Sequence, residues 1–462
     1  MGGKGKALFQ NTLIYTVGTF GSKVITFLLF PLLSFYLTKE EVGAYDLVVT
    51  TVSLFIPIIT IQLSDANYRW IITFGKDPQA LKKVISTNLF TVTGLLLAFL
   101  LLIIVVQFFV TIPYVFYFMG FIAGMVFFQF LQQTVRGLGF NKKYAGYAIL
   151  NAFFIFTFSG LFLLVLKTGV EGVLWASILA YSLSSLIIFF HSKIYERLSF
   201  SLYSGAELKE MIRYSYPLIP NSISWWLINL ANRYIILFFL SAELNGIYAI
   251  SARFPAIIIM VNSIFTLAWQ DHTIKEESDI GFSSRVFNRF VKMEFGLVLV
   301  LIAMSELLAR YLVDENFYEA WRYMPVLFLA TAFTAFSAYY GAVYLRQKNT
   351  KELFFSTLLG GIINLVISIA LIGTIGLLAP AIGTFFGFMV VFGYRVWQNR
   401  KTFQLDIDKM TFFGLFVLSL IFLGLKGLGN VYVDVILIVI SLVVFVKINL
   451  STFYKFYSYI KK

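Results

Sequence analysis

Leu37-Thr38-Lys39-Glu40-Glu41-Val42-Gly43-Ala44-Tyr45 returns 203 residues later as Leu240-Ser241-Ala242-Glu243-Leu244-Asn245-Gly246-Ile247-Tyr248. Both stretches read L-[ST]-x-E-x-x-G-x-Y. A generic turn with an interfacial Tyr anchor would account for one of them. A second pair at nearly the same offset, Gly172 and Gly376, and the asparagines Asn151 and Asn364 at similar depths in their segments, favour an internal duplication. The duplication decides the architecture, because the segments around it are apolar throughout. Hydrophobic residues make up 59% of the 462-residue chain and charged residues 13%, with 52 Phe. A soluble domain is about 25% charged, so this surface cannot face water. The chain reads as a polytopic membrane protein of the all-α class.

A spanning helix needs about 20 mostly apolar residues. Such stretches lie near 10–37, 43–67, 83–108, 113–136, 144–166, 172–191, 212–240, 245–270, 287–312, 320–345, 353–373, 377–398, 410–427 and 430–450, fourteen in all. With the N-terminus in the cytoplasm, the tail and alternate loops hold 28 of the 36 Lys and Arg, as the positive-inside rule requires. Lys39, Lys167, Arg310, Arg322 and Lys426 fall on the outside, and Lys23, Arg233 and Arg253 within spans. Adding or removing one helix would scramble this alternation, so both termini are expected inside. Six spans separate the repeated motifs. An even number leaves the halves in one orientation, as parallel six-helix lobes at 1–200 and 201–402. Residues 403–462 then add two C-terminal helices and a tail.

The net charge of +13 invites a nucleic-acid reading, but that needs basic residues clustered on a polar domain, and here they punctuate apolar runs. Cysteine is absent, which removes disulfides and thiolate metal sites. The two histidines, His191 and His272, read as loop residues, so no His-ligated metal centre or other cofactor is expected. No G-x-x-x-x-G-K-[ST] occurs, so the chain carries no ATP engine. The basic N-terminus lacks a cleavage site after its long apolar stretch, and Lys6 breaks the myristoylation pattern.

Polar residues inside a bilayer are costly unless they face protein or water, and ionisable ones cost about 2.5 kcal/mol or more at a helix centre. Helical spacing of polar residues therefore points to a wet cavity. The first span aligns Thr12, Tyr15, Thr19, Ser22, Lys23 and Thr26; the second carries Gln62, Asp65 and Arg69; the fourth carries Gln129, Gln132, Gln133 and Arg136. The seventh carries Ser222, Trp225, Asn229, Asn232 and Arg233, and Arg253 lies in the eighth. Asp65 and Arg69 also fit a local i, i+4 ion pair, and Arg136 and Arg253 also fit snorkelling to the interfaces. Lys23 and Arg233 lie too deep for that. Glu306 reads as the single acid well within a span. A cationic cavity of Lys23, Arg69, Arg136, Arg233 and Arg253 suits a phosphate or pyrophosphate. Gln, Asn, Ser, Tyr and Trp beside it suit sugars. Pro217 and Pro220 should bend or break the start of the seventh span, and Gly383-x-x-x-Gly387 permits close helix approach.

Asn11-Thr12-x-x-Tyr15 with Glu41-x-Gly43-x-Tyr45-Asp46, and above all Tyr216-Pro217-Leu218-Ile219-Pro220-Asn221, Trp225-Trp226 and Asn232-Arg233-Tyr234, resemble Wzx-type polysaccharide flippases. These belong to the multidrug/oligosaccharidyl-lipid/polysaccharide exporter superfamily. The resemblance covers essentially the whole chain. It implies movement of an undecaprenyl-pyrophosphate-linked oligosaccharide from the inner to the outer leaflet of the bacterial cytoplasmic membrane by alternating access. Because voltage acts on an anionic headgroup, membrane potential or a coupled H+ or Na+ is expected to reset the carrier. The resemblance further implies a monomer working beside polysaccharide polymerase machinery. Many relatives carry Asp-Arg where this chain has Asn232-Arg233, which argues against a proton-titrating role at that position. A multidrug and toxin extrusion exporter is the alternative; it typically has 12 spans and relies on intramembrane acids. A membrane glycosyltransferase or polymerase is disfavoured by the short outer loops.

Overall fold

The computed structural model describes residues 3–75, 77–275, 279–347 and 350–460; side chains are described from Phe20 to Leu450, apart from a few in 264–275, Leu345 and Thr350. Asn11, Thr12, Tyr15, Thr19 and His272, singled out above, lie outside the described side chains. All regular structure among the described residues is helical. Among the described residues, twelve helical segments are long and apolar enough to cross a membrane. The two remaining predicted spans correspond to the first helix, whose apolar described part is Phe20–Tyr36, and to a seventh span broken into two short helices. The protein is a multi-pass, all-α membrane protein.

The chain divides into two compact units, Met1–Trp226 and Leu227–Lys462, a boundary later than the 200/201 junction expected from the loops. The first unit contains α1 (Gly3–Tyr36), α2 (Lys39–Ile59), α3 (Leu63–Phe74), α4 (Pro78–Phe109), α5 (Val115–Gly137), α6 (Asn141–Gly160), α7 (Gly169–His191), α8 (Gly205–Ser215) and most of α9 (Leu218–Asn229). α1 packs on α6, and α5 packs on α7 and α3. His191, read as a loop residue, closes α7, where its Nδ1 meets Tyr147 Oη at 2.7 Å. The second unit contains α10 (Asn232–Phe239), α11 (Ala242–Ser251), α12 (Ala256–Lys275), α13 (Ile280–Leu312), α14 (Met324–Arg346), α15 (Thr350–Ile375), α16 (Leu378–Asn399), α17 (Lys409–Lys426) and α18 (Val431–Ile460).

The repeated motif is a helix start in both units. Thr38 caps α2 by accepting from Glu41 N, and Glu41 answers by accepting from Thr38 N, a capping box. Ser241 caps α11 by accepting from Leu244 N. The motif tyrosines are 5% and 1% exposed, so Tyr45 and Tyr248 are packed core residues and not interfacial anchors. The motif packs the helix it starts. The glycine pair behaves differently. Gly376 sits at φ +57 in the turn before α16, and its conformational counterpart is Gly169, at φ +60 where α7 begins. Gly172 instead lies within α7, where an added Cβ would fall 2.0 Å from Thr168 Oγ1.

Three predicted spans are interrupted, each for a local reason. The second breaks between α2 and α3, where Ile61 and Gln62 adopt φ of +48° and +54°. The seventh breaks twice. α8 ends before Tyr216-Pro217, Pro220 falls in the first turn of α9 where its missing N–H removes no bond, and a further break separates α9 from α10. The eighth breaks at Ala252–Pro255, between α11 and α12, where Pro255 cannot donate to the helix. α9 and α10 have 12 and 8 residues; each is shorter than the roughly 20 a bilayer needs.

Packing separates lipid-like from protein-like faces. Leu101, Leu102, Phe108 and Phe109 of α4, and Val435, Ile436, Val439 and Val443 of α18, are exposed. That surface suits hydrocarbon and would be penalised in water. Inside the second unit, Phe287, Phe295, Phe333, Phe336, Phe392 and Phe412 form a core of largely edge-to-face rings, such as Phe333–Phe385 at 5.5 Å and 84°. α15 and α16 approach closely through Gly360, Gly383 and Gly387: a Cβ on Gly383 would lie 2.7 Å from Asn364 O, and one on Gly387 2.8 Å from Gly360 O. The expected Gly383-x-x-x-Gly387 contact is present.

Candidate functional site

The predicted polar residues fall into separate constellations, each built within one unit. In the first unit α3 and α5 lie side by side. Asn67 Nδ2 donates to Thr134 Oγ1 at 2.8 Å, and Asn88 Nδ2 donates to Asn67 Oδ1 at 3.2 Å, a fully buried ladder that fixes the two helices and α4. On this frame the Arg136 guanidinium lies 4.4 Å from the Tyr68 ring centroid and 5.7 Å from that of Tyr144. The charge that acts on Asp65 is Arg136, across from α5. The i, i+4 pair with Arg69 does not form: Arg69 is exposed and covers the Tyr214 ring of α8 at 4.5 Å. The left-handed turn at Ile61–Gln62 starts α3 afresh just before Asp65.

Gln62, at that turn, donates through Nε2 to Ser222 Oγ of α9. Gln129, Gln132 and Gln133 are half-buried along α5; Gln132 Nε2 reaches Tyr144 O at 3.4 Å, and Gln133 Oε1 is buried with no partner among the described residues. Ser22 and Lys23 are half-buried on α1. Among the described residues no carboxylate lies within ion-pair distance of Lys23.

The second unit corrects the reading of Asn232. It does not line a wet cavity, because it is 0% exposed. Its Nδ2 donates to Thr384 Oγ1 at 2.8 Å, Pro380 O at 3.0 Å and Tyr248 Oη at 3.3 Å. Its Oδ1 accepts from Asn364 Nδ2 at 3.2 Å and Ser368 Oγ at 3.4 Å. One amide thus knots α10 to α11, α15 and α16, with every polar atom satisfied. Arg233 beside it is 4% exposed; Nη1 donates to Asn229 O at 2.9 Å, and the guanidinium lies 5.3 Å from the Tyr248 ring. Asn229 is exposed at the end of α9, and Arg253 is half-buried in the Ala252–Pro255 turn. Arg233, Asn229 and Arg253 all therefore sit at helix breaks, the positions where backbone polar groups are released at membrane depth.

Sequence reasoning missed three charged groups. Lys426, counted as an outside charge, is 1% exposed and bonds Glu306 Oε2 at 3.1 Å and Asp434 Oδ2 at 2.7 Å. Tyr318 also donates to Glu306, and burial together with that bond pushes its phenol up to about 12. Arg395, counted with the inside set, is 1% exposed and donates to Ser337 O, Ser356 Oγ and Thr357 Oγ1, tying α14, α15 and α16 together. Glu294 of α13 is 0% exposed, so Glu306 is not the single intramembrane acid. Charge counts place residues at span ends, and only packing says which of them turn inward.

The first unit also holds an apolar cavity of about 600 Å³ between α4, α5 and α7, lined by Leu89, Gly124, Phe127, Leu131, Ile178 and Phe189 among others. None of the predicted cationic residues lines it, so it offers an anion nothing.

Among solved structures, the lipid II flippase MurJ in its inward closed conformation aligns with 96% of this chain and 99% of its own, at a TM-score of 0.73 and 14% identity. An inward-facing multidrug resistance MATE family transporter of the MOP superfamily covers 81% of this chain and 94% of its own, at 0.66 and 15%. These likenesses establish the fold. A protein of the Lsg locus of Haemophilus influenzae is 26% identical over 258 residues, 54% of this chain; the match spans 62% of that relative's length. The polysaccharide biosynthesis protein family matches residues 8–269, more than half of the chain and the region that carries the Tyr216–Asn221 and Asn232–Tyr234 motifs. The chain belongs to the polysaccharide biosynthesis protein family.

Proposed function

We propose that this protein is a lipid-linked oligosaccharide flippase. It moves an undecaprenyl-pyrophosphate-linked repeat unit from the inner to the outer leaflet of the cytoplasmic membrane by alternating access, as a monomer with both termini in the cytoplasm. It carries cargo and catalyses no covalent step, and a polysaccharide polymerase consumes what it delivers. The observation that carries this reading is Lys23, a cation on a membrane helix with no carboxylate partner among the described residues, in a chain of the polysaccharide biosynthesis family. A basic group retained at that depth needs an anionic counterpart, and a substrate pyrophosphate supplies one. Arg233 and Arg253 at helix breaks, and Arg136 over its aromatic faces, are the further candidates for binding it.

The energetics favour outward movement of such a headgroup. An inside-negative potential contributes about 2.3 kcal/mol per charge per 100 mV, hence roughly 4 to 5 kcal/mol for a dianion. The test is surface-polysaccharide display in a strain complemented with Lys23→Ala or Arg233→Ala. Loss of display at normal membrane protein levels is expected; full display by both variants would sink the reading. Drug export is the second reading, supported by the fold shared with the MATE transporter. Efflux of a cationic dye by cells that gain no polysaccharide would favour it.

A further inference from the structure

α13 carries an acid that none of the polar stripes includes. Glu294 is 0% exposed and lies about 10 Å along the helix from the start of the ninth predicted span. Its Oε2 accepts from Asn262 Nδ2 of α12 at 3.1 Å. Its Oε1 is buried and has no hydrogen-bond partner among the described residues, and the same is true of Asn262 Oδ1. Two orphaned oxygens on one touching pair are unusual, because buried polar atoms are nearly always satisfied.

The charged groups around it do not supply the missing partner. On its own helix, Lys292 interacts with Asp408, and Glu306 is held by Lys426. Arg285, Arg289 and Arg310 are at the exposed or half-exposed ends of that helix. α12 has no charged residue among its described side chains, and α14 has Arg346 at its last turn and the tyrosines Tyr339, Tyr340 and Tyr344. α17 has Lys409 and Lys426 at its two ends. Among its described side chains, α18 has Asp434, bound to Lys426, an exposed Tyr432 and an exposed Lys447. The 3-10 segment Glu315–Arg322 keeps its acids Glu315 and Glu319, with Tyr318 and Arg322, beyond the far end of α13. Among the described residues, Asn262 is the one polar side chain that meets the carboxyl.

An ionised carboxylate so placed would be an unpaired buried charge, and such groups take a proton instead. A single proton on Oε1 turns that atom from an orphaned acceptor into a donor, and the orphaned Oδ1 of the same amide becomes available to accept it. A metal ion does not fit as well. Hard cations take six or more oxygens, the pair offers three, one of them already bonded to the amide, and the described residues hold no group of three or more His, Asp or Glu.

We propose that Glu294 is a proton-binding site, neutral in this conformation, and that release and rebinding of its proton couples transport to the proton gradient. The step balances simply: a proton from solution bonds to Oε1 and cancels the carboxylate charge, and the reverse step returns both. Coupling rests on the flippase reading above, whereas protonation stands without it.

Two measurements separate these parts. Infrared spectroscopy of the protein in lipid nanodiscs at about pH 7 should show a protonated-carboxyl C=O band that glutamate isotope labelling shifts and that is missing in Glu294→Gln. No labelled band, or one unchanged in the variant, overturns the site. Labelled wild-type protein gives this readout even where the variant does not accumulate. Glu294→Gln, an isostere of the neutral form, should keep its melting temperature and membrane level yet lose at least tenfold in polysaccharide display. Wild-type display by that variant overturns coupling. A flippase reading that fails at Lys23 and Arg233 would leave the infrared band in place, so the two failures are distinguishable.

Discussion

Removing the Lys426 ammonium should destabilise the second unit more than any exposed charge in the chain would. Its Nζ lies 3.1 Å from Glu306 Oε2, 2.7 Å from Asp434 Oδ2 and 5.3 Å from the Trp321 ring centroid, and its side chain is 1% exposed. Lys426→Met keeps the length of the side chain and leaves two acids facing each other. Breaking a buried pair by removing one partner costs 3–5 kcal/mol. The acids here retain 25% and 14% exposure, so solvent softens the loss and the lower end, about 3 kcal/mol, applies. At roughly 2–4 °C per kcal/mol for a unit of this size, the melting temperature should fall by about 6–12 °C. Thermal unfolding of purified protein in detergent, followed by intrinsic tryptophan fluorescence, measures it. The triple variant Lys426→Met, Glu306→Gln, Asp434→Asn removes every charge and should recover most of the loss, since neutral groups replace a buried ion cluster at little cost. A single variant that melts with the wild type, or a triple variant no better than the single, would refute the electrostatic argument.

Three further outcomes follow from the packing. Gly383→Ala places a Cβ 2.7 Å from Asn364 O, a backbone atom that cannot turn aside; it should cost about 1–3 kcal/mol by thermal unfolding. Gly393→Ala on the same helix meets nothing within 4 Å and should be neutral or slightly stabilising. Asn232→Leu strips the amide from its partners on three helices and should lower stability by about 2 kcal/mol or more, with polysaccharide display falling only in proportion to protein level. Asp408 caps α17 by accepting from Thr411 Oγ1 at 2.6 Å and Thr411 N at 3.0 Å, bonds that hold its carboxyl below the usual carboxylate range. A depressed carboxylate stabilises above its unfolded pKa and loses that contribution as pH falls through the folded value. The gap between wild type and Asp408→Ala, about 1 kcal/mol, should therefore be constant above about pH 4 and close below it.

The legible part of the site was the part set by local chemistry. The caps at Thr38 and Ser241, the prolines that start α9, and the Gly383–Gly387 contact all follow from what those residues can do within a turn or two of backbone. Lys23 could be read as deeply placed because its position along an apolar run is a one-dimensional fact. Asn232 and Asp65 could not be read correctly the same way. Their partners lie on other helices, and a one-residue change in helix phase decides whether a polar side chain meets water, a carbonyl or a guanidinium. The charge that acts on Asp65 is Arg136 of α5, and the chain passes through a left-handed conformation at Gln62 just before it; no composition or spacing announces that turn.

Composition and the alternation of Lys and Arg determined by themselves that the chain crosses a membrane many times, because transfer free energy and charge asymmetry add up along the chain without reference to contacts. The recurring helix-start motif likewise needed only sequence. The tertiary structure alone decided which polar groups are knots, which are ion clusters and which are left without a partner. Lys426, Arg395 and Glu294 look alike from outside, as charges near or within apolar runs. Packing made the first the centre of an ion cluster, the second a hydrogen-bonded tie between three helices, and the third a buried carboxyl with one oxygen unsatisfied. The physical reason is that desolvation and hydrogen bonding depend on what lies within a few ångströms, and in a helical membrane protein those neighbours come from segments distant in sequence.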